Sequence, residues 1–455
     1  MAMVILQKNS SSTVEFEKLS KVSMDKILII SYSFPPDNVP AAQRPYFMAK
    51  YLKEEKLLEP IVLTSHSSRS SLGKSNWADL TGLNVISTEA ANEPAENATA
   101  STVAVKAKRT GKFAAIAQKI SREILIPDKA VTWYKKAQKK AGEIMEQNPG
   151  IKYVFSTSPS VVNHQVAMWI KKHYNVKWIA DFRDFYYCSN IEENSFIFRH
   201  HFDKRIERKI IETADRLTYI SGGMMDEYRK KYRSIVSKSA VVHNGFDTNE
   251  FNFTVPDLPA NKKLTIFYGG SFYKGQRSPK SLLLALENLV EKQVISPGEI
   301  EVVIAGNIPT EIFDEFTGYR IFRSVKLLGF IDRKKALEEM LNAHFLWLII
   351  AAEKAHYLGF PVKGYEYIGA RRHVVVFTPK VSEPARIINE LQCGTVLGIG
   401  DDDLKENIEK LTLLINQFKK GAFAKPISID NDLLKKYTRI HQAHQLWALT
   451  QEIKN

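Results

Sequence analysis

Cysteine is nearly absent: the 455-residue chain has two, Cys188 and Cys393. They stand far apart, in segments assigned below to different domains, so no structural disulfide is expected and a reducing compartment fits. Long apolar runs are also missing. The longest candidate, 345–352, falls well short of the ~20 residues that span a bilayer and has the length of a buried strand. The N-terminus shows no apolar stretch followed by a small-residue cleavage site, so no signal peptide is expected and the expected location is cytoplasmic. Zinc-finger spacings and RNA-binding aromatic signatures do not occur, which argues against a nucleic-acid partner. No convincing cluster of metal ligands is present, so neither a tightly bound cofactor nor a required metal is expected. Asp401, Asp402 and Asp403 resemble an acidic metal motif, but they open a late helix, where carboxylates suit the helix dipole.

Acidic charge is in deficit too. Asp and Glu total 50 against 64 Lys and Arg, a formal charge of +14. That excess favours phosphorylated substrates or an anionic membrane face. Lys135, Lys136, Lys139 and Lys140 lie close together on a helical pattern, either as a solvated face or as a peripheral contact with the inner face of the cell membrane.

What is present is ordinary globular composition, 44% hydrophobic and 25% charged, in a chain long enough for two or three domains. Short continuous apolar runs at 27–30, 61–64, 153–155, 178–180, 217–220 and 240–242 alternate with helical patterns. This is the grammar of parallel strands buried on both faces. It resumes at 264–268 and continues through 301–305, 325–328, 345–350 and 374–377. Residues 247–263, with two prolines and few apolar side chains, have linker composition. The expected organisation is an irregular extension at 1–24, a Rossmann-like domain at 25–255 with a mobile surface loop at 88–112, a second at 256–429, and a terminal helix at 430–455 that crosses back to the first domain.

In open parallel sheets ligands bind beyond the carboxyl ends of the strands. After the run at 264–268 comes Gly269-Gly270-Ser271-Phe272-Tyr273-Lys274-Gly275-Gln276-Arg277, with Ser278 and Pro279 placed to open a helix. Glycines admit a phosphate close to backbone N–H groups, the helix N-terminus favours an anion, and Lys274 and Arg277 add full charges. Further on, Pro361-Val362-Lys363-Gly364-Tyr365-Glu366 places Lys363 and Glu366 three apart on one helix face. An ammonium neutralises a phosphate, and a carboxylate accepts hydrogen bonds from a ribose diol. The same pair also suits an ordinary surface salt bridge, as the glycines suit an ordinary turn.

With Lys26-Ile27-Leu28-Ile29-Ile30-Ser31, Pro35-Pro36, Trp178-Ile179-Ala180-Asp181-Phe182-Arg183-Asp184, Val242-His243-Asn244-Gly245, Leu328-Gly329-Phe330 and Pro361 to Tyr367 in this order, the chain resembles glycosyltransferase family 4, in particular bacterial members that build surface polysaccharides. The resemblance implies the GT-B architecture: two Rossmann-like, doubly wound parallel-sheet α/β domains facing a cleft. It implies transfer of a sugar, with retention of configuration, from a nucleotide-diphosphate sugar to a glycan or lipid-linked glycan acceptor. By that resemblance Glu366 binds the ribose, Arg277 the diphosphate, and Gly329 and Phe330 the base. Gly270, Ser271, Lys274 and Lys363 complete the donor site, while Asp184 and Arg183 join Arg277 and Lys363 as catalytic candidates. Asp181, Arg183 and Asp184 either face the acceptor or form a structural ion-pair network. The chain departs from the family pattern at Leu358, where a glutamate is usual, at Ala41-Ala42, where a glycine pair is usual, and at 156–158, where a histidine is usual. A nucleotide-sugar epimerase of the same fold and a catalytically degenerate nucleotide binder remain the alternatives.

Overall fold

Apolar runs too short for helices pair as strands, and each helix lays one apolar stripe across them. The computed structural model describes residues 24–66, 77–89, 126–128, 130–187, 197–251, 255–259, 263–272, 277–306 and 308–453. Residues 1–23, nearly all of the expected loop at 88–112, Cys188 and Lys274 lie outside the described residues.

The first sheet contains β1 (Lys26–Ser31), β2 (Glu59–His66), β3 (Asn84–Glu89), β4 (Ile151–Thr157), β5 (Lys177–Phe182), β6 (Arg216–Tyr219) and β7 (Ser239–Val241). Its seven strands run parallel in the order β3-β2-β1-β4-β5-β6-β7. The second contains β8 (Leu264–Gly269), β9 (Ile300–Ala305), β10 (Val325–Gly329), β11 (Phe345–Ile349), β12 (His373–Phe377) and β13 (Gly394–Leu397). Its six parallel strands follow the order β10-β9-β8-β11-β12-β13. All five residues of β11 are buried, as expected for a strand covered on both faces. Connections reverse direction beside β1 and beside β8, so the crevices beyond β1/β4 and β8/β11 are the places where a doubly wound sheet takes ligands.

The terminal helix expected at 430–453 is two helices, Asn431–Lys435 and Arg439–Glu452. The break follows from two capping residues in quick succession: Asp430 accepts from the backbone of Asp432 and Leu433, and Thr438 from that of His441. Between them the chain pairs with the segment after β7. Phe246 donates its N–H to the Tyr437 carbonyl at 3.0 Å, and Arg439 donates to that of Phe246 at 3.0 Å. Gly245 is required there, because a Cβ at that position would stand 2.5 Å from the Tyr437 carbonyl oxygen. Helix Arg439–Glu452 packs Ala443, Leu446 and Leu449 into one core with Ile27, Ile29, Met48 and Leu52 of the first sheet's layer. The helix after β8 runs from Lys280, and Ser278 and Pro279 open it as expected: Pro279 is already helical at φ −70° and ψ −8°, and the Ser278 hydroxyl accepts from the N–H of Lys280.

One buried ion pair organises the first sheet's carboxyl edge. Arg44, on helix Pro40–Glu54, is 1% exposed, and Asp181, at the end of β5, is 0% exposed. The guanidinium donates to both carboxylate oxygens at 2.9 and 2.8 Å. It also donates to the carbonyls of Val242 and His243 and to the Asn244 side chain. Thr157 and Thr218 donate to the same carboxylate at 2.7 Å each. Burial alone would raise the Asp181 carboxyl; the charge of Arg44 and these hydrogen bonds overrule it and hold it below its ordinary value. Asp181→Asn, which leaves Arg44 buried without its counter-charge, is expected to cost about 3–5 kcal/mol of stability. Urea unfolding measures it, and a cost below ~1 kcal/mol would contradict this assignment.

Candidate functional site

The second sheet ends in glycines where three strands meet. The Gly270 N–H, just past β8, reaches the Ala305 carbonyl at 2.8 Å, and the Gly306 N–H, just past β9, reaches that of Gly329 at 2.8 Å. Gly306 has φ +143°, and a Cβ there would fall 1.9 Å from the Gly270 carbonyl oxygen. Only glycine permits so close an approach. A Cβ on Gly270 would in turn press on the Lys363 ammonium at 2.8 Å. Ser271 follows, half-buried, with its carbonyl accepting from the Tyr268 hydroxyl at 3.0 Å.

Lys363 enters this crevice from helix Val362–Gly369. Its ammonium sits 4.1 Å above the Tyr268 ring and 3.4 Å from the Gly269 carbonyl. Burial, with the nearby positive charge of Arg277 adding to it, pushes the ammonium down to about 7, against the pull of Glu366. This half-buried cation is short of negative charge, as a phosphate site should be. Lys363 and Glu366 are therefore not a surface salt bridge. The Glu366 carboxylate is held instead by Arg333, at 2.8 Å. Burial raises the Glu366 carboxyl, and Arg333 opposes that shift.

Arg333 also grips Glu250 in the segment between the sheets, at 2.6 and 3.3 Å. It is the residue that sequence reasoning missed. It stands at the first position of helix Arg333–Leu341, straight after Gly329 and Phe330, with Asp332 capping. The cap was the only local signal. Gly329 is left-handed at φ +66°, and Phe330 is 83% exposed.

The first sheet's candidates behave differently. Asp181 is fully engaged with Arg44, whereas Arg183 joins no ion pair among the described residues. Its guanidinium donates to the Ala41 carbonyl at 2.8 Å and to that of Pro40 at 3.4 Å. The cause lies in helix Pro40–Glu54, where Pro45 has no N–H to give the Ala41 carbonyl four residues earlier. Arg183 supplies that missing donor, so the ion-pair network expected around it is centred on Arg44 instead. Asp184 is exposed and attracts Arg183 through its charge. His164 is buried, bonded through Nδ1 to the Ser156 hydroxyl at 2.8 Å, and pushed down to about 4 by burial. It packs and does not titrate near neutrality.

A cavity of about 260 Å³ has Gln43, Phe47 and Trp77 on one wall, Phe330, Arg333 and Glu366 on the other, and Arg439 between them. A larger hollow of about 830 Å³, lined by Phe251, Leu434, His441 and His444 among others, contains none of the site residues expected from sequence. The smaller cavity is the candidate site, because Phe330 and Glu366 line it. Asp401–Asp403 form a turn before helix Leu404–Lys419, with the Asp403 carboxylate accepting from the Gly400 N–H at 3.0 Å. Among the described residues no group of three or more His, Cys, Asp or Glu is arranged to hold a metal ion.

No protein-family model and no curated protein matches the chain. Solved structures do. Sucrose-phosphate synthase from Thermosynechococcus elongatus aligns at TM-score 0.60 and 13% identity, over 94% of this chain and 99% of that one. A glycosyltransferase from Rickettsia africae aligns at 0.61 and 13%, over 95% and 99%. HepE from Anabaena, solved in complex with UDP, aligns at 0.60 and 11%, over 94% and 100%. At such identities the likeness shows the fold: the chain has the GT-B architecture, two Rossmann-like domains.

The state of Lys363 has a measurable consequence. In the free protein it loses its proton near pH 7, and a phosphate beside it would raise that value. Binding of a phosphate-bearing ligand there is therefore expected to take up a proton and to weaken as pH rises from about 7 to 9. Calorimetry in buffers of different ionisation enthalpy reads the uptake, and Lys363→Met should abolish it. Affinity that is flat across this range in the unaltered protein would show that Lys363 does not meet the phosphates.

Proposed function

We propose that this protein transfers a sugar from a nucleotide-diphosphate sugar to a glycan or lipid-linked glycan acceptor, with retention of configuration. The observation that carries the reading is the convergence of Glu366, Lys363 and the glycine ends of β8, β9 and β10 on one side of a cleft between two Rossmann-like domains. Similarity to the UDP complex of HepE supports a nucleotide donor in that place. Glu366 holds the ribose diol, Gly329 and Phe330 border the base, and Gly270 and Ser271 border the phosphates.

Breaking the glycosidic bond leaves negative charge on the departing phosphate while the sugar becomes oxocarbenium-like. Lys363, Arg277 and the N-terminus of helix Val362–Gly369 stabilise that charge as fixed, partly desolvated cations and dipoles. The acceptor enters from the first domain, past the end of β5 and the first turn of helix Pro40–Glu54. Surface polysaccharide assembly is the pathway proposed, and the enzyme requires no metal. Turnover is expected to survive chelation.

Glu366→Ala is expected to weaken nucleotide binding about ten- to hundredfold, the loss of a charged acceptor for two hydroxyls. Calorimetry against the folded variant tests it, and unchanged affinity would remove Glu366 from the site.

Many acceptors of this class sit at the membrane. No helix among the described residues is long and apolar enough to cross one, so attachment is proposed through charge. Lys135, Lys136 and Lys139 are exposed on helix Val131–Gln147, while Lys140 pairs with Glu143. Each well-placed lysine contributes about 1 kcal/mol at an anionic surface. Co-sedimentation with anionic vesicles is expected to fall with rising salt, and to fall again when the four lysines become glutamines. Indifference to anionic vesicles at low salt would favour a soluble acceptor.

A further inference from the structure

Charge is out of balance on the first domain's side of the cleft. Three guanidiniums, those of Arg44, Arg183 and Arg439, lie within electrostatic reach of one another. The Asp181 carboxylate neutralises Arg44 at 2.8 Å. Arg439 is 2% exposed yet touches only two amide oxygens, of Gln442 at 3.4 Å and Gln43 at 3.3 Å, and packs 5.1 Å from the Phe47 ring. Its Nε is sealed from solvent with no partner, as is that of Arg183. Among the described residues neither is in an ion pair.

The carboxylates around the cavity are already committed. Asp247 takes the Tyr51 hydroxyl and lies 3.8 Å from Lys50. Glu250 and Glu366 share Arg333, and Asp332 caps its helix. Glu366 attracts Arg439 through charge but makes no ion pair with it. Burial, reinforced by Arg44 and Arg183, pushes Arg439 down to about 9. A buried guanidinium without a counter-charge is costly, and the arrangement is expected to persist where a ligand supplies the charge.

Two helix N-termini add to the positive field. Helix Arg439–Glu452 begins at Arg439 itself. Helix Pro40–Glu54 has neither a side-chain cap nor an acidic residue in its first turn, and that turn carries Gln43. The favoured occupant is a phosphoryl group, because its charge matches two cations that stand in no ion pair and its oxygens match the guanidinium fork.

We propose that Arg439, with Gln43 and the first turn of helix Pro40–Glu54, forms a phosphoryl-binding subsite on the first-domain wall of the cleft, separate from the Lys363 crevice, with Arg183 adding its charge from the Pro40 and Ala41 carbonyls of that turn. This rests on the nucleotide-sugar reading for its place in catalysis but not for its existence. The phosphoryl group belongs either to the donor diphosphate as the cleft closes or to a phosphate-bearing acceptor.

Arg439→Gln, studied in the full-length protein with inorganic phosphate as probe, tests the subsite. Removal of an uncompensated charge is expected to leave the melting temperature of the free protein equal or higher, whereas removal of a structural arginine lowers it. Phosphate is expected to raise the melting temperature of the unaltered protein and to lose most of that effect in Arg439→Gln, with affinity down about tenfold or more. Calorimetry with UDP and GDP then identifies the source. If the diphosphate that binds the unaltered protein also loses affinity in the variant, the subsite serves the donor; if its affinity is unchanged while the phosphate response is lost, the subsite serves the acceptor. A phosphate response that survives in Arg439→Gln overturns the proposal, as does a variant that melts lower or fails to fold. If no nucleotide binds but phosphate still binds through Arg439, the subsite stands and the transferase reading falls.

Discussion

The arrangement of the cleft depends on the fork of Arg44. One side chain joins helix Pro40–Glu54, the carboxyl end of β5, and the Val242–Asn244 stretch that leaves the first sheet. Gln442, on the returning helix, donates to the same His243 carbonyl at 2.6 Å. The exit of the first domain and the return of the C-terminal helix are thus fixed to one point. Without the guanidinium the Val242 carbonyl would lose this donor, and Asp181 would be a buried charge without its counter-charge. The far side of the cleft is tied more lightly, by the Ser221 hydroxyl to the Leu358 carbonyl and by an exposed Lys354–Glu227 pair at 2.6 Å. An exposed pair of this kind contributes little.

Electrostatics then divide the cleft into regions. Around Glu366 negative charge is concentrated and shared through Arg333, which suits hydroxyl donors such as a ribose. Around Lys363, and again around Arg439, positive charge is left short of negative partners, which suits phosphate. Arg333 has a further consequence for mechanism. It links Glu366 to Glu250 in the segment that connects the two sheets, so a ligand that competes for Glu366 acts on a contact that reaches the connection between the domains.

Much of the fold was legible because a parallel sheet buried on both faces writes itself as short apolar runs, and β8 and β11 are runs of that kind. The glycines at 270, 306 and 329 end their strands, and two of them stood out as strand-end motifs; why they must be glycine appears only when the strand ends meet, since the clash at Gly306 is with a residue 36 positions away. The partners of Arg183 were left open for a related reason. Its neighbours in sequence are aspartates, but its acceptors are the Ala41 carbonyl, freed by Pro45, and the Pro40 carbonyl in another element. Arg333 and Arg439 carry no motif. Their importance comes from which carboxylates they reach and which they do not, and that is a property of the folded chain. Lys274 falls outside the described residues.

The central claim is that this cleft recognises a nucleotide-diphosphate sugar. The most direct measurement is the melting temperature of the purified protein against a panel of UDP-, GDP- and other nucleotide sugars. A ligand that binds only the folded chain adds about 2.7 kcal/mol of stability at a hundred times its Kd, well within reach of the assay. The account predicts that members sharing one base raise the melting temperature and that the matching nucleoside without phosphates does so far less. A panel in which no nucleotide sugar shifts the transition, at millimolar concentration and neutral pH, would contradict it.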